Sequence, residues 1–189
     1  MVVHATPPPV DVSPDGRRVL VAPVTGPIGE RIQRWRALHD PSQARRIPPH
    51  ATLCYWVPTG DVEALDRQVR HAFDRPVTAH LAGVREFGNA DRTVYVEVGD
   101  AEELDRAKER LYDGLHVSLD GRRPWTWHIT CIRYGHIADP TVVDAARRDL
   151  EISSAWRLES VALLELRQGV YEPVATWTVP TVAGAPATA

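Results

Sequence analysis

Apolar positions along the chain fall into two rhythms, short near-continuous runs and stripes of helical period. Residues 17–24 (RRVLVAPV) form such a run and read as a buried strand. Residues 27–38 follow, with Ile28, Ile32, Trp35 and Leu38 spaced for one face of a helix. Residues 50–57 (HATLCYWV) are β-branched and aromatic, a strand. Residues 61–73 read as a helix with Asp61 as its N-cap and a stripe of Val62, Leu65, Val69 and Phe73. Strands at 77–87 and 92–98 are joined by the turn Gly88-Asn89-Ala90-Asp91. A helix is predicted over 100–111, with Asp100 and Glu103 spaced as a capping box. Residues 127–134 are a strand, and Asp139-Pro140 opens a helix running to about Leu150. Strands at 156–167 and 171–179 close the chain around Gln168-Gly169.

The order is strand, helix, strand, helix, strand, and then the same again with one extra strand. His50-Ala51-Thr52 recurs as His128-Ile129-Thr130, 78 positions later, and Asp61 recurs as Asp139 at the same interval. Arginine pairs precede both motifs, Arg45-Arg46 and Arg122-Arg123. One period shared by several independent features indicates a duplicated unit. Two lobes related by a pseudo-twofold axis are therefore expected within one bilobal domain, residues 15–180. Residues 1–14, with Pro7, Pro8 and Pro9 in a row, are expected to be a disordered leader, and residues 181–189 a disordered tail.

In a strand, residues two apart share a face. His50 therefore points with Thr52, and His128 with Thr130, so that pseudosymmetric lobes set two His/Thr pairs facing each other across a cleft. An imidazole holds or releases a proton near neutral pH, and each threonine hydroxyl can donate a hydrogen bond to a phosphate oxygen. One imidazole can take a proton from an attacking hydroxyl or water while the other gives one to the leaving oxygen on the opposite side of phosphorus. His50 and His128 are the candidate catalytic pair, and Thr52 and Thr130 the candidate phosphate contacts. The scheme requires no metal and no cofactor.

The two His-x-Thr motifs, each on a predicted strand within the repeat, resemble those of the two-histidine (2H) phosphoesterase superfamily, which includes the 2′,5′ RNA ligase and RNA 2′,3′-cyclic phosphodiesterase group. The resemblance covers roughly residues 17–180. It implies an α+β fold of two pseudosymmetric lobes, each an antiparallel sheet with helices on the outer face, around a central cleft. It implies hydrolysis of a 2′,3′-cyclic phosphate to a 2′-phosphate, or joining of RNA ends through a 2′,5′ linkage. In that family the second motif often reads His-x-Thr-Leu-x-Arg; Arg133 matches the Arg, while Cys131 replaces the Leu. Strict alternation points Arg133 away from His128, so a role on phosphate requires a bulge or a strand end. Tyr171 resembles a recurrent aromatic near the family's C-terminus, and Phe87 is placed to stack on a base. The family commonly uses the second histidine as base and the first as acid.

Composition narrows the partners. The 189 residues carry a net charge of −3, so no overall basic surface is available to track a long polyanion. The expected ligand is an RNA terminus or a small nucleotide, with the arginine pairs as a local electrostatic funnel. Alternatives are a phosphodiesterase of small nucleotides, such as ADP-ribose cyclic phosphate or 2′,5′-oligoadenylate, and a noncatalytic RNA-end binding module. A two-histidine metal hydrolase ranks last, because His-x-x-x-His spacing and a nearby carboxylate are lacking. No apolar run is long enough to span a membrane, and no signal peptide is legible; a cytoplasmic monomer is expected. Cys54 and Cys131 read as small buried hydrophobes, and the tryptophans, including Trp56, Trp125 and Trp127, as packing. His4, His39, His71, His80, His116 and His136 have no repeat partner and receive no role.

Overall fold

The structure is a computed structural model that describes residues 16–55, 57, 62–87, 93–115, 125–133 and 140–181. The expected leader, most of the tail, the turn at 88–91, Asp61 and Asp139, Arg122-Arg123, Trp56, His4, His116 and His136 lie outside these residues. In chain order the elements are β1 (Arg18–Pro23), α1 (Gly26–His39), α2 (Pro41–Arg46), β2 (His50–Cys54), α3 (Val62–Ala72), β3 (Thr78–Glu86), β4 (Val94–Gly99), α4 (Glu102–Leu115), β5 (His128–Ile132), α5 (Pro140–Asp149), β6 (Ser153–Arg157), β7 (Ser160–Arg167) and β8 (Val170–Thr178). No helix among the described residues is long and apolar enough to cross a membrane.

Each lobe is a four-stranded antiparallel sheet, and the two join at β5 and β2 into one sheet of order β6-β3-β4-β5-β2-β1-β7-β8. The duplication reaches further than the motifs. β1 and β4 have 6 residues each, α1 and α4 have 14 each, and β2 and β5 have 5 each. The lobes are intertwined. β3, which follows the first motif's helix, pairs with β4 of the second lobe, and β7, near the chain's end, returns to pair with β1 of the first.

That crossover breaks the strand expected at 156–167. The run is apolar throughout, yet β6 pairs with β3 at one edge and β7 pairs with β1 on the other side of the sheet. β7 and β8 then form a hairpin through Gln168 and Gly169, both at positive φ (50° and 84°), the conformation a two-residue turn of matching twist demands.

The helices cover one face, where Leu20, Leu53, Leu81, Ile129 and Leu163 from the strands pack with Ile32, Leu65, Leu104 and Val143 from the helices. Trp35, Trp127, Trp156 and Trp177 are 5–6% exposed, and three of their indoles donate to Asp149, Asp105 and Asp66. Both cysteines are buried and free, and burial raises the Cys131 thiol to about 12, out of reach of thiolate chemistry.

Two helical expectations are overturned. Leu38 is 80% exposed, while Arg36 is 2% exposed. At about 100° per residue, Arg36 falls close to Ile32 around the helix, whereas Leu38 has drifted some 120° off the buried stripe. The capping box is not formed either. Asp100 lies outside α4 at φ 47°, and the Glu103 carboxylate instead accepts from the Thr78 backbone N–H and hydroxyl at 2.8 and 2.9 Å.

Candidate active site

β2 and β5 begin at the two histidines and meet at the centre of the sheet, where Ala51 opposes Ile129 in antiparallel register. Continued by one residue, that register sets His50 beside Thr130 and Thr52 beside His128. All four are half-buried on the face opposite the helices, since Ala51, Leu53, Ile129 and Cys131 fill the other. In such an array opposed Cβ atoms lie about 5 Å apart and diagonal ones ~7–8 Å. The diagonal between the imidazoles accommodates one phosphate hydrogen-bonded on each side at about 2.8 Å.

A bulge decides where the next residues point. Tyr95 opposes Thr130 while Val94 opposes Ile132, so Cys131 is the extra residue of β5. Val21 opposes Thr52 while Leu20 opposes Cys54, which makes Leu53 the extra residue of β2. Each bulge turns Ile132 and Cys54 into the core and flips the following residue back to the histidine face. Arg133, just past the end of β5, is therefore exposed on the same side as His128. Its charge is felt at both imidazoles and lowers the pKa of each. β5 has both a bulge, at Cys131, and its end, at Ile132, before Arg133. Tyr55, 46% exposed, occupies the position equivalent to Arg133 in the first lobe, a correspondence the sequence reading missed.

Both tautomers are locked in the same way. Nδ1 of His50 donates to the Pro48 carbonyl at 2.7 Å, and Nδ1 of His128 to the Thr126 carbonyl at 2.9 Å, each two residues upstream. A carbonyl only accepts, so in the neutral rings Nε2 carries the free lone pair. Burial is the main cause that pushes His50 down to about 4, with the Arg36 charge helping and the Pro48 carbonyl opposing. His128 is lowered too, by burial first, then by Arg133 and Lys108, against the Thr126 carbonyl. Burial thus favours the neutral form of both imidazoles in the free protein.

The two flanks differ. Beside His128, Phe87 stacks on Tyr95 at 4.2 Å between centroids and meets His128 edge-on at 5.0 Å; Tyr95 meets the same imidazole at 5.5 Å. Tyr95 was missed in the sequence, although it alternates with Glu97 on the face its register with Thr130 defines. On the other flank, Val19, Val21, Ala162 and Leu164 form a small apolar floor against which Ile47 and Tyr171 pack. Tyr171 lies under the Arg46 guanidinium, 5.8 Å from the ring centroid. It sits on β8, three strands from β2 or ~14 Å at sheet spacing, so the structure does not bring it to the His/Thr array. α2, which carries Arg45 and Arg46, was also missed, although Asp40-Pro41 repeats the cap-then-proline signal of Asp139-Pro140. Among the described residues no three His, Cys, Asp or Glu side chains are grouped to hold a metal ion.

A duplicated α+β fold with one His-x-Thr motif from each half at its centre defines a two-histidine phosphoesterase. The family model of the 2'-5' RNA ligase superfamily matches residues 24–170, and the chain belongs to that superfamily. Among solved structures it is similar to apo LigT of E. coli, with a TM-score of 0.58 at 21% identity over 88% of this chain and 98% of that one. The complex of the same protein with 3'-AMP gives 0.57 at 19% over 88% and 99%. A further phosphoesterase gives 0.58 at 19% over 88% and 99%. At these identities the likeness concerns the fold. No curated protein matched.

Proposed function

We propose that this protein is a metal-independent phosphodiesterase that opens 2′,3′-cyclic phosphates at RNA ends to 2′-phosphates. The observation that carries the reading is the His50/Thr52/His128/Thr130 array at the junction of β2 and β5. The nonbridging oxygens accept from the two threonine hydroxyls and from Arg133. One imidazole receives the proton of the attacking water at Nε2, the P–O3′ bond breaks, and the other imidazole protonates the departing 3′-oxygen. A 5′-hydroxyl in place of water would yield a 2′,5′ linkage by the same steps. Burial favours the neutral form at both positions, so either ring has a free Nε2 lone pair for the water's proton. An anionic phosphate between the rings offsets the burial that keeps the acid deprotonated. The Phe87/Tyr95 pair offers a stacking platform for the base. Solved complexes of E. coli LigT with 3'-AMP, NADP+ and ATP are in keeping with a nucleotide ligand.

The net charge of −3 favours, as a second reading, a small nucleotide substrate over a long RNA. Turnover of a nucleoside 2′,3′-cyclic phosphate in EDTA, with a 2′-phosphate as product, tests the proposal. Turnover abolished by EDTA would indicate a metal hydrolase, and binding without turnover a recognition module. His50→Ala and His128→Ala are each expected to lower kcat by about 10²-fold or more. A near-wild-type rate in either contradicts the assignment.

A further inference from the structure

The end of β5 is held by a carboxylate that the chemistry above does not use. Asp40, 7% exposed, forms the elbow between α1 and α2. Its N–H closes α1 on the Arg36 carbonyl at 2.7 Å, and its own carbonyl accepts the Ala44 N–H at 3.0 Å. Oδ1 accepts the Gln43 N–H at 3.2 Å and so caps α2. Oδ2 reaches across the fold and accepts the backbone N–H of Arg133, also at 3.2 Å. Arg133 stands beyond the last strand pair, Val94 and Ile132, where the ladder no longer sets the backbone.

We propose that Asp40 is a positioning residue of the phosphate site, clamping the backbone of Arg133 so that its guanidinium is aimed between the two imidazoles. The inference rests on the reading that Arg133 contacts the phosphate. An arginine fork lies far from its Cα, so a small rotation at residue 133 displaces it by more than hydrogen-bond geometry tolerates. The residue type follows from the two bonds. Only a carboxylate presents two acceptor oxygens to two N–H donors; an asparagine in the same shape turns an NH2 donor toward one of them. The elbow thus ties the first lobe's helices to the second lobe's motif strand, and one side chain serves both.

Asp40→Asn tests this, because Asn caps a helix as well as Asp does while setting a donor against the Arg133 N–H. Asp40→Ser, whose hydroxyl keeps the cap but is too short to reach Arg133, serves if the Asn variant folds poorly; thermal melts monitor both. Steady-state kcat and KM on a nucleoside 2′,3′-cyclic phosphate would be compared in wild type, Asp40→Asn, Arg133→Gln and the double variant. Arg133→Gln is expected to lower kcat about 10²-fold and Asp40→Asn about tenfold. In the Arg133→Gln background Asp40→Asn is expected to add less than about twofold, since both act through one contact. Asp40 also stands near buried Arg36, and an effect through that charge on His50 would persist whatever residue occupies position 133. A full tenfold loss in both backgrounds, or a wild-type kcat in Asp40→Asn, overturns the inference. Wild-type kcat in Arg133→Gln with the histidine variants inactive also overturns it and leaves the histidine reading standing. Full activity in the histidine variants removes both.

Discussion

Burial that keeps His50 neutral down to about 4, against an ordinary 6.5, should be readable as stability. Between those values the unfolded chain binds a proton that the folded chain refuses. The sign follows: the contribution is fully present above about pH 6.5 and is lost as pH falls through 4. The gap is worth ~3 kcal/mol, a substantial part of a domain's net stability. The perturbation is His50→Asn, whose amide Nδ2 takes the place of Nδ1 and can still donate to the Pro48 carbonyl but does not titrate. Urea denaturation at pH 7 and at pH 4 gives the stability of each protein. Wild type should lose ~3 kcal/mol more than the variant on going to pH 4. Carboxylates titrate in both proteins and cancel in the difference. Superimposable pH–stability curves would refute the idea that desolvation governs this imidazole.

The same physics predicts that a bound phosphate draws in a proton, so calorimetric titration with 3'-AMP at pH 7 should give buffer-dependent heats; identical heats in buffers of different ionisation enthalpy would count against it. Thr52→Val and Thr130→Val, which remove one hydroxyl each at constant shape, should each lower kcat/KM about tenfold or more, the loss of one hydrogen bond to a charged group; unchanged rates would return both threonines to simple strand formers. Phe87→Ala should raise KM about tenfold for a purine cyclic phosphate, by loss of base stacking, and do so more than for a substrate with no base; equal effects on the two would remove the platform. Leu38→Gln should leave stability within about 0.5 kcal/mol, because Leu38 is 80% exposed; a larger loss, read by urea denaturation, would restore it to the core.

The features legible in the chain alone are local and periodic. Alternation fixes which residues share a strand face, so the pairing of His50 with Thr52 and of His128 with Thr130 was legible, as was the duplication, because one period recurs in several features at once. The remaining features depend on partners distant in the chain. The apolar run at 156–167 carries no mark of where it changes neighbours, since burial beside β3 and burial beside β1 ask for the same residues. The bulges opposite Tyr95 and Val21 come from pairing, and they break the strict alternation that would otherwise set the faces of Arg133 and Tyr55. Arg36 and Asp40 look like surface charges in a one-dimensional reading, yet both are buried. A charge is tolerated inside only where hydrogen-bond partners wait for it; the Gln43 backbone is such a partner within the α1–α2 elbow itself, whereas the N–H of Arg133, 93 positions away, reaches Asp40 only when the two halves of the fold close on each other.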